Sequence, residues 1–293
     1  MLLQIKDYDS GYQPSKTIDK KVIGIGGFLV NLAFQIPIFT VSEKTMDMLA
    51  PPKKVLNRKC LTEMLEGYRD VYYKEEGEYE KDEEQIFNVF SKGETFERCR
   101  KDLFYNVGAF ITHIPSNFID QIDVPAIIIS PDRIRNWANS KRKTGVFVNL
   151  MSFVILHELV HAYVYNRKLD RSKFGYASSV IEESLADATA YSHFPEKDRV
   201  TNLSELLLDP SRPPEYTSYV YWAETFRVVD PLHVLLLWRR GVIPVMYLHG
   251  VYLPPPNLDP YYHFFLHEFY HVRLFLKDKD LANELAAEIL LHS

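Results

Sequence analysis

Val146 to Tyr165 read VFVNLMSFVILHELVHAYVY, a run of 20 residues without a single lysine or arginine. That is about the length a helix needs to cross ~30 Å of hydrocarbon. The same run carries Asn149, His157, Glu158 and His161, and one acidic side chain at a bilayer centre costs on the order of 3 kcal/mol. Lys141, Arg142 and Lys143 precede it, Arg167 and Lys168 follow it, and no second run of comparable length occurs. The stretch is therefore read as a helix buried in the core of a soluble protein, in preference to an intramembrane enzyme, and no membrane span is expected.

Within this helix stands His157-Glu158-Leu159-Val160-His161, an H-E-x-x-H motif. Residues i and i+4 share a helix face, so two imidazoles can converge on one cation while the adjacent carboxylate reaches a water bound to it. Chance supplies such a pentapeptide in roughly one chain of this composition in forty, so the flanks have to decide. Phe153 to Leu156 and Ala162 to Val164 are apolar. A buried glutamate between two buried histidines needs a compensating partner, and a metal ion is one. A catalytic zinc takes three protein ligands and keeps one position for water. Glu183, within Glu182-Glu183-Ser184-Leu185-Ala186-Asp187, is the candidate third.

Over His157 to Asp187 the chain resembles the gluzincin branch of the zincin metallopeptidases, the thermolysin-like arrangement. In that pattern H-E-x-x-H is followed, about twenty residues or more later, by a helical E-x-x-[SA]-D. The resemblance implies that His157, His161 and Glu183 bind one Zn2+, that Glu158 is the general base, and that Asp187 accepts a hydrogen bond from a ligand histidine. It further implies an α+β fold with a zincin-like core, an active-site helix, and an edge strand that pairs with an extended peptide. Val124 to Ile129 occupies that place in the chain order. The oxyanion donor would be a Tyr or His, with Tyr176, His193, Tyr219, Tyr221, His233 and His249 all open.

A second motif, His267-Glu268-Phe269-Tyr270-His271, lies in aromatic surroundings (Phe264, Phe265). Its downstream Lys279-Asp280-Leu281-Ala282-Asn283 mirrors Glu183-Ser184-Leu185-Ala186-Asp187, with Lys279 at the ligand position. An ammonium has no lone pair to donate. His267, Glu268 and His271 are thus the less favoured site, either a worn duplicate, a second metal site or aromatic core, with Asp278, Asp280, Glu284 and Glu288 as substitute ligands.

Outward from these motifs, β-branched residues crowd Val124 to Ile129, which predicts a strand. Ser130-Pro131-Asp132 opens a helix over 133–140, with Pro at its first position. A helix over 179–191 ends at Pro195. Leu2 to Val41 alternates short apolar runs (KKVIGIGGFLV, AFQIPIFTV) with polar breaks and reads as strands, Gly24 to Gly27 marking a bend. Leu61 to Val89 reads as a helix with an acidic middle, and residues 219–240, 262–277 and 279–291 as helices.

This divides the chain into a β-rich N-terminal extension with an acidic helix (1–100), a catalytic core (101–205) and a helical C-terminal part (206–293). Thirty-four basic against thirty-nine acidic residues give a net charge of -5, which offers no footprint for a nucleic-acid backbone. Cys60 and Cys99 form no C-x-x-C, and the N-terminus lacks a signal-peptide pattern, which together suggest a reducing, cytoplasmic setting. The expected function is zinc-dependent hydrolysis of a peptide or protein substrate. The alternative is a zincin-like regulatory or binding protein whose metal holds the core with little or no proteolysis.

Overall fold

The computed structural model describes most of residues 3–60, 98–140 and 146–166, and short runs and single residues between 182 and 216. By internal contacts the chain divides into two compact units, residues 1–53, 103–168 and 189–209 in one, and 54–102, 169–188 and 210–293 in the other. These differ from the three segments read from the sequence. The described residues mix helix and strand, an α+β composition.

The first unit is built on a four-stranded sheet in the order β1 (Ile5–Asp7), β2 (Ile38–Thr40), β6 (Ala126–Ile129), β5 (Gly108–Ile111). β1, β2 and β6 run parallel, and β5 is antiparallel to β6, with Gly108 opposite Ile129 and Phe110 opposite Ile127. A boundary at residue 100 would cut this sheet between β2 and β6. Every residue of β6 is buried, as an apolar strand covered on both faces requires. Ala126 and Ile128 pack with Val41, Met46, Leu49, Ile111 and Ile122. The alternation of side chains turns Ile127 and Ile129 to the opposite face, and with them their cross-strand neighbours Phe110 and Gly108.

Of the strand expected over Val124 to Ile129, Ala126–Ile129 form one, which leaves Val124 and Pro125 outside it, and it is interior. Its neighbours β2 and β5 occupy both sides, and β5 holds the end of the sheet among the described residues.

The strand reading of KKVIGIGGFLV is overturned. Lys16–Ile25 form helix α1, followed by a 3-10 turn at Gly27–Leu29 and helix α2 at Val30–Ala33. The Ser15 side chain caps α1 by accepting from the Thr17 amide, and Ile18, Asp19 and Val22 form its buried stripe. Gly24 is inside the helix, and the chain leaves it through Gly27 at φ 51°, a left-handed conformation that glycine adopts without steric cost. Among the described residues before 61 the helices, with α3 at Glu43–Leu49, outweigh the three short strands, so this region is not β-rich.

Helix α4 (Pro131–Ser140) opens at Pro131 as predicted. Helix α5 (Phe147–Asn166) packs on α1, α4, β5 and β6. It is long and apolar enough to cross a membrane by length and composition, and 72% of its apolar window is buried inside the protein.

β3 (Lys53–Leu56) and β4 (Arg100–Phe104), most of whose residues belong to the second unit, form a two-stranded sheet. Beside it Cys60 and Cys99 are joined in a disulfide, a pairing that their spacing did not suggest. Asn57 ties the same corner, its amide donating to the Cys99 carbonyl and its side chain to both oxygens of Asp102. The expected helices over 61–89, 219–240, 262–277 and 279–291 lie outside the described residues.

Candidate metal centre

α5 is apolar around most of its circumference, and a helix of that kind is stable only when enclosed on nearly all sides. Its sequence places histidine and glutamate inside that enclosure. His157 and Glu158 are each 6% exposed, while His161, one turn on, is partly open. The two Nε2 atoms stand 3.1 Å apart. Two imidazole nitrogens bound to one tetrahedral zinc at roughly 2.0–2.1 Å stand about 3.3 Å apart, so the rings are already at the separation a shared ion imposes. Phe153 lies against the His157 ring, with centroids 6.3 Å apart, and Phe194 packs on Phe153, with centroids 6.5 Å apart.

The described residues of 182–191 are helical, as expected, and the helix is over before Pro195. Ligand atoms of His157, His161 and Glu183 all lie within 4.8 Å of one another, so this group could hold a metal ion. Two neutral imidazoles and one carboxylate are a donor set that suits zinc and its borderline neighbours.

Asp187 is fully buried. Arg212 donates from Nη2 to Asp187 Oδ2 at 2.9 Å and stacks over Tyr216 at 5.2 Å. Arg212 had no sequence signal beyond its place in a proline-rich loop, since no spacing rule links residue 212 to residue 187.

β5 runs along α5 on the face that bears the motif. A Cβ placed on its first helix-facing residue, Gly108, would meet Val154 and Glu158, and its second, Phe110, lies against Tyr165 with ring centroids 5.5 Å apart. Glu158, His161 and Tyr165 fall on this one side of the helix at spacings of three and four. Gly108 also escaped the sequence reading, because GAFI is too short and too mixed to announce a strand.

Of the oxyanion candidates only His193 is among the described residues, and it sits over Gly27. Tyr176, Tyr219, Tyr221, His233 and His249 lie outside them, as does the whole second motif, His267, Glu268 and His271. Comparison with protein-family models, curated proteins and solved structures finds no match to this chain.

Proposed function

We propose that the protein is a zinc-dependent metallopeptidase with a zincin-like core. The observation that carries the reading is the approach of the His157 and His161 Nε2 atoms to 3.1 Å on a buried helix, with Glu158 next to His157 and Glu183 within reach of both. Two further features support it. The sheet has three parallel strands and one antiparallel strand at its end, and that end strand lies along the motif face of α5. In this reading β5 takes the place that the resemblance had assigned to Val124–Ile129, and its outer edge, which pairs with no strand among the described residues, would pair with the extended backbone of a peptide.

His157, His161 and Glu183 would hold the ion. When bound, zinc lowers the pKa of its water towards ~7 and polarises the carbonyl to be attacked. The remaining work falls to the chain. Glu158, too buried to be solvated as a free carboxylate, takes the proton of the attacking water and delivers it to the leaving amine. General acid-base catalysis of this kind contributes roughly 10²- to 10⁴-fold. Phe153 and Phe194 keep bulk water from the inner side of His157. The buried Asp187–Arg212 pair anchors the helix that presents Glu183 one turn earlier.

The test is zinc content together with turnover of a quenched peptide library by the wild type and by Glu158→Gln. Glutamine keeps the shape but cannot accept the proton, so the variant should hold its zinc and lose hydrolysis by roughly 10²-fold or more. A wild type that binds zinc without any turnover would point to a metal-supported binding protein. Wild-type rates in Glu158→Gln would move the chemistry elsewhere.

A further inference from the structure

We propose that Gly108 is a positioning residue, in that the bare Cα which β5 presents to α5 sets where the Glu158 carboxylate stands. The functional half of the inference rests on the reading of Glu158 as general base.

A Cβ added at Gly108 would lie 2.5 Å from Val154 Cγ1, 3.0 Å from Glu158 Oε1 and 3.3 Å from Glu158 Cγ. Contacts under 3.0 Å are essentially never seen for real Cβ atoms, so something has to give. The backbone at 108 is not in the left-handed region, which leaves the missing side chain as the reason for glycine here. Glycine inside a strand otherwise weakens it and marks a close approach of backbone to its surroundings.

Three parts of the structure could yield. The strand is fixed by the pairing of Gly108 with Ile129, by the Ser130 amide donating to the Val107 carbonyl at 2.9 Å, and by β2 behind β6. Val154 is 3% exposed, and a β-branched residue in a helix has one strongly preferred χ1 rotamer. The Glu158 carboxylate, at the end of three torsions, moves at the lowest cost. The 2.5 Å contact has to be relieved by Val154 or by the strand, whereas the contacts at 3.0 and 3.3 Å require the Glu158 side chain to give by a few tenths of an ångström, so alanine at 108 shifts the base.

The experiment compares Gly108→Ala, Glu158→Ala and their double variant with the wild type in zinc content, melting temperature and peptide kinetics. Gly108→Ala should keep its zinc and its KM and lose kcat by roughly 10-fold, less than the 10²-fold of a 1 Å misplacement, because the carboxylate gives by a few tenths of an ångström. Its melting temperature should fall, and should fall less on the Glu158→Ala background, because the side chain that it meets is gone. Equal falls on both backgrounds, or an unchanged kcat, would overturn the proposal.

Should Gly108→Ala not fold, Gly108→Ala with Val154→Ala removes the shortest contact and leaves the one with Glu158. Its kcat should stay low beside that of Val154→Ala alone, and equality of the two would also overturn it. If the wild type cleaves no peptide, the peptidase reading falls by itself, and the melting-temperature comparison still decides whether Gly108 seats Glu158.

Discussion

Burying imidazole and carboxylate groups is unfavourable unless their lone pairs are shared, and at the residue scale this explains both what α5 encloses and what it should bind. In the proposed site Glu183→Ala would leave two candidate ligands where a catalytic zinc takes three. Zinc affinity should collapse in that variant while the helix stays folded, and full occupancy by elemental analysis would remove Glu183 from the ligand set. Asp19 presents the opposite case, a buried carboxylate with no evident role. It is 7% exposed, its Oδ1 has no hydrogen-bond partner among the described residues, and burial raises its pKa above the ordinary 3.8. A raised carboxylate pKa means that the folded state holds the proton longer, so the group costs stability as pH climbs through and above 3.8. Asp19→Asn should therefore melt higher than the wild type at neutral pH, and the gap should close as the pH is lowered towards 3.8. A gap independent of pH would show that the carboxylate is not the source. The candidate ligand histidines were legible in the sequence because i and i+4 on a helix meet whatever the rest of the fold does. Arg212 and Gly108 were not, because their partners Asp187 and Glu158 are reached only through the folded chain.

Elements whose ends carry local chemistry were the readable ones. Pro131 announced α4, and the unbroken apolar run announced α5. β6 showed itself through Ile127, Ile128 and Ile129, although neither its interior place nor β5 beside it could be seen without the pairing. α1 misled because Val22, Ile23 and Ile25 look like strand residues, while what makes it helical is the Ser15 cap and the burial of Ile18 and Val22 against α5. α3 shows how much one such cap can hold. Ser42 Oγ accepts from the Thr45 amide at 3.2 Å and donates to Asp9 Oδ2 at 2.7 Å, and Thr45 Oγ1 donates to the same Asp9 oxygen at 2.6 Å. The cap therefore fastens α3 to the segment that leaves β1. Ser42→Ala should cost about 1–2 kcal/mol, the upper part of the range for a lost cap, since the Asp9 contact goes with it. Urea denaturation would measure it, and a loss below about 0.5 kcal/mol would mean that water replaces the hydroxyl at both partners.

For the whole molecule the ordering that matters is non-local. Sheet order β1-β2-β6-β5 joins residues 5–7 to residues 108–129 across the chain between them, so a division at residue 100, drawn where the resemblance to the zincin core ends, separates strands that pair with one another. The disulfide is non-local in the same sense, since it closes a separation of 39 residues beside β3 and β4. No cysteine is left free. Closing a loop of that length lowers the entropy of the unfolded chain by an amount worth about 4 kcal/mol at 25 °C in the chain-entropy model. The second unit should accordingly depend on it far more than the four-stranded sheet does. Thiol titration of the denatured, unreduced protein should find no free thiol, and after reduction two. Replacing both cysteines by serine should destabilise the second unit by up to that amount. Hydrogen exchange should locate the loss, with faster exchange at the Asn57 amide, which donates to the Cys99 carbonyl at 2.8 Å, and unchanged protection in β2 and β6. Two free thiols in the unreduced protein would dismiss the linkage, and equal loss of protection in both units would show that the disulfide supports the chain as one cooperative body.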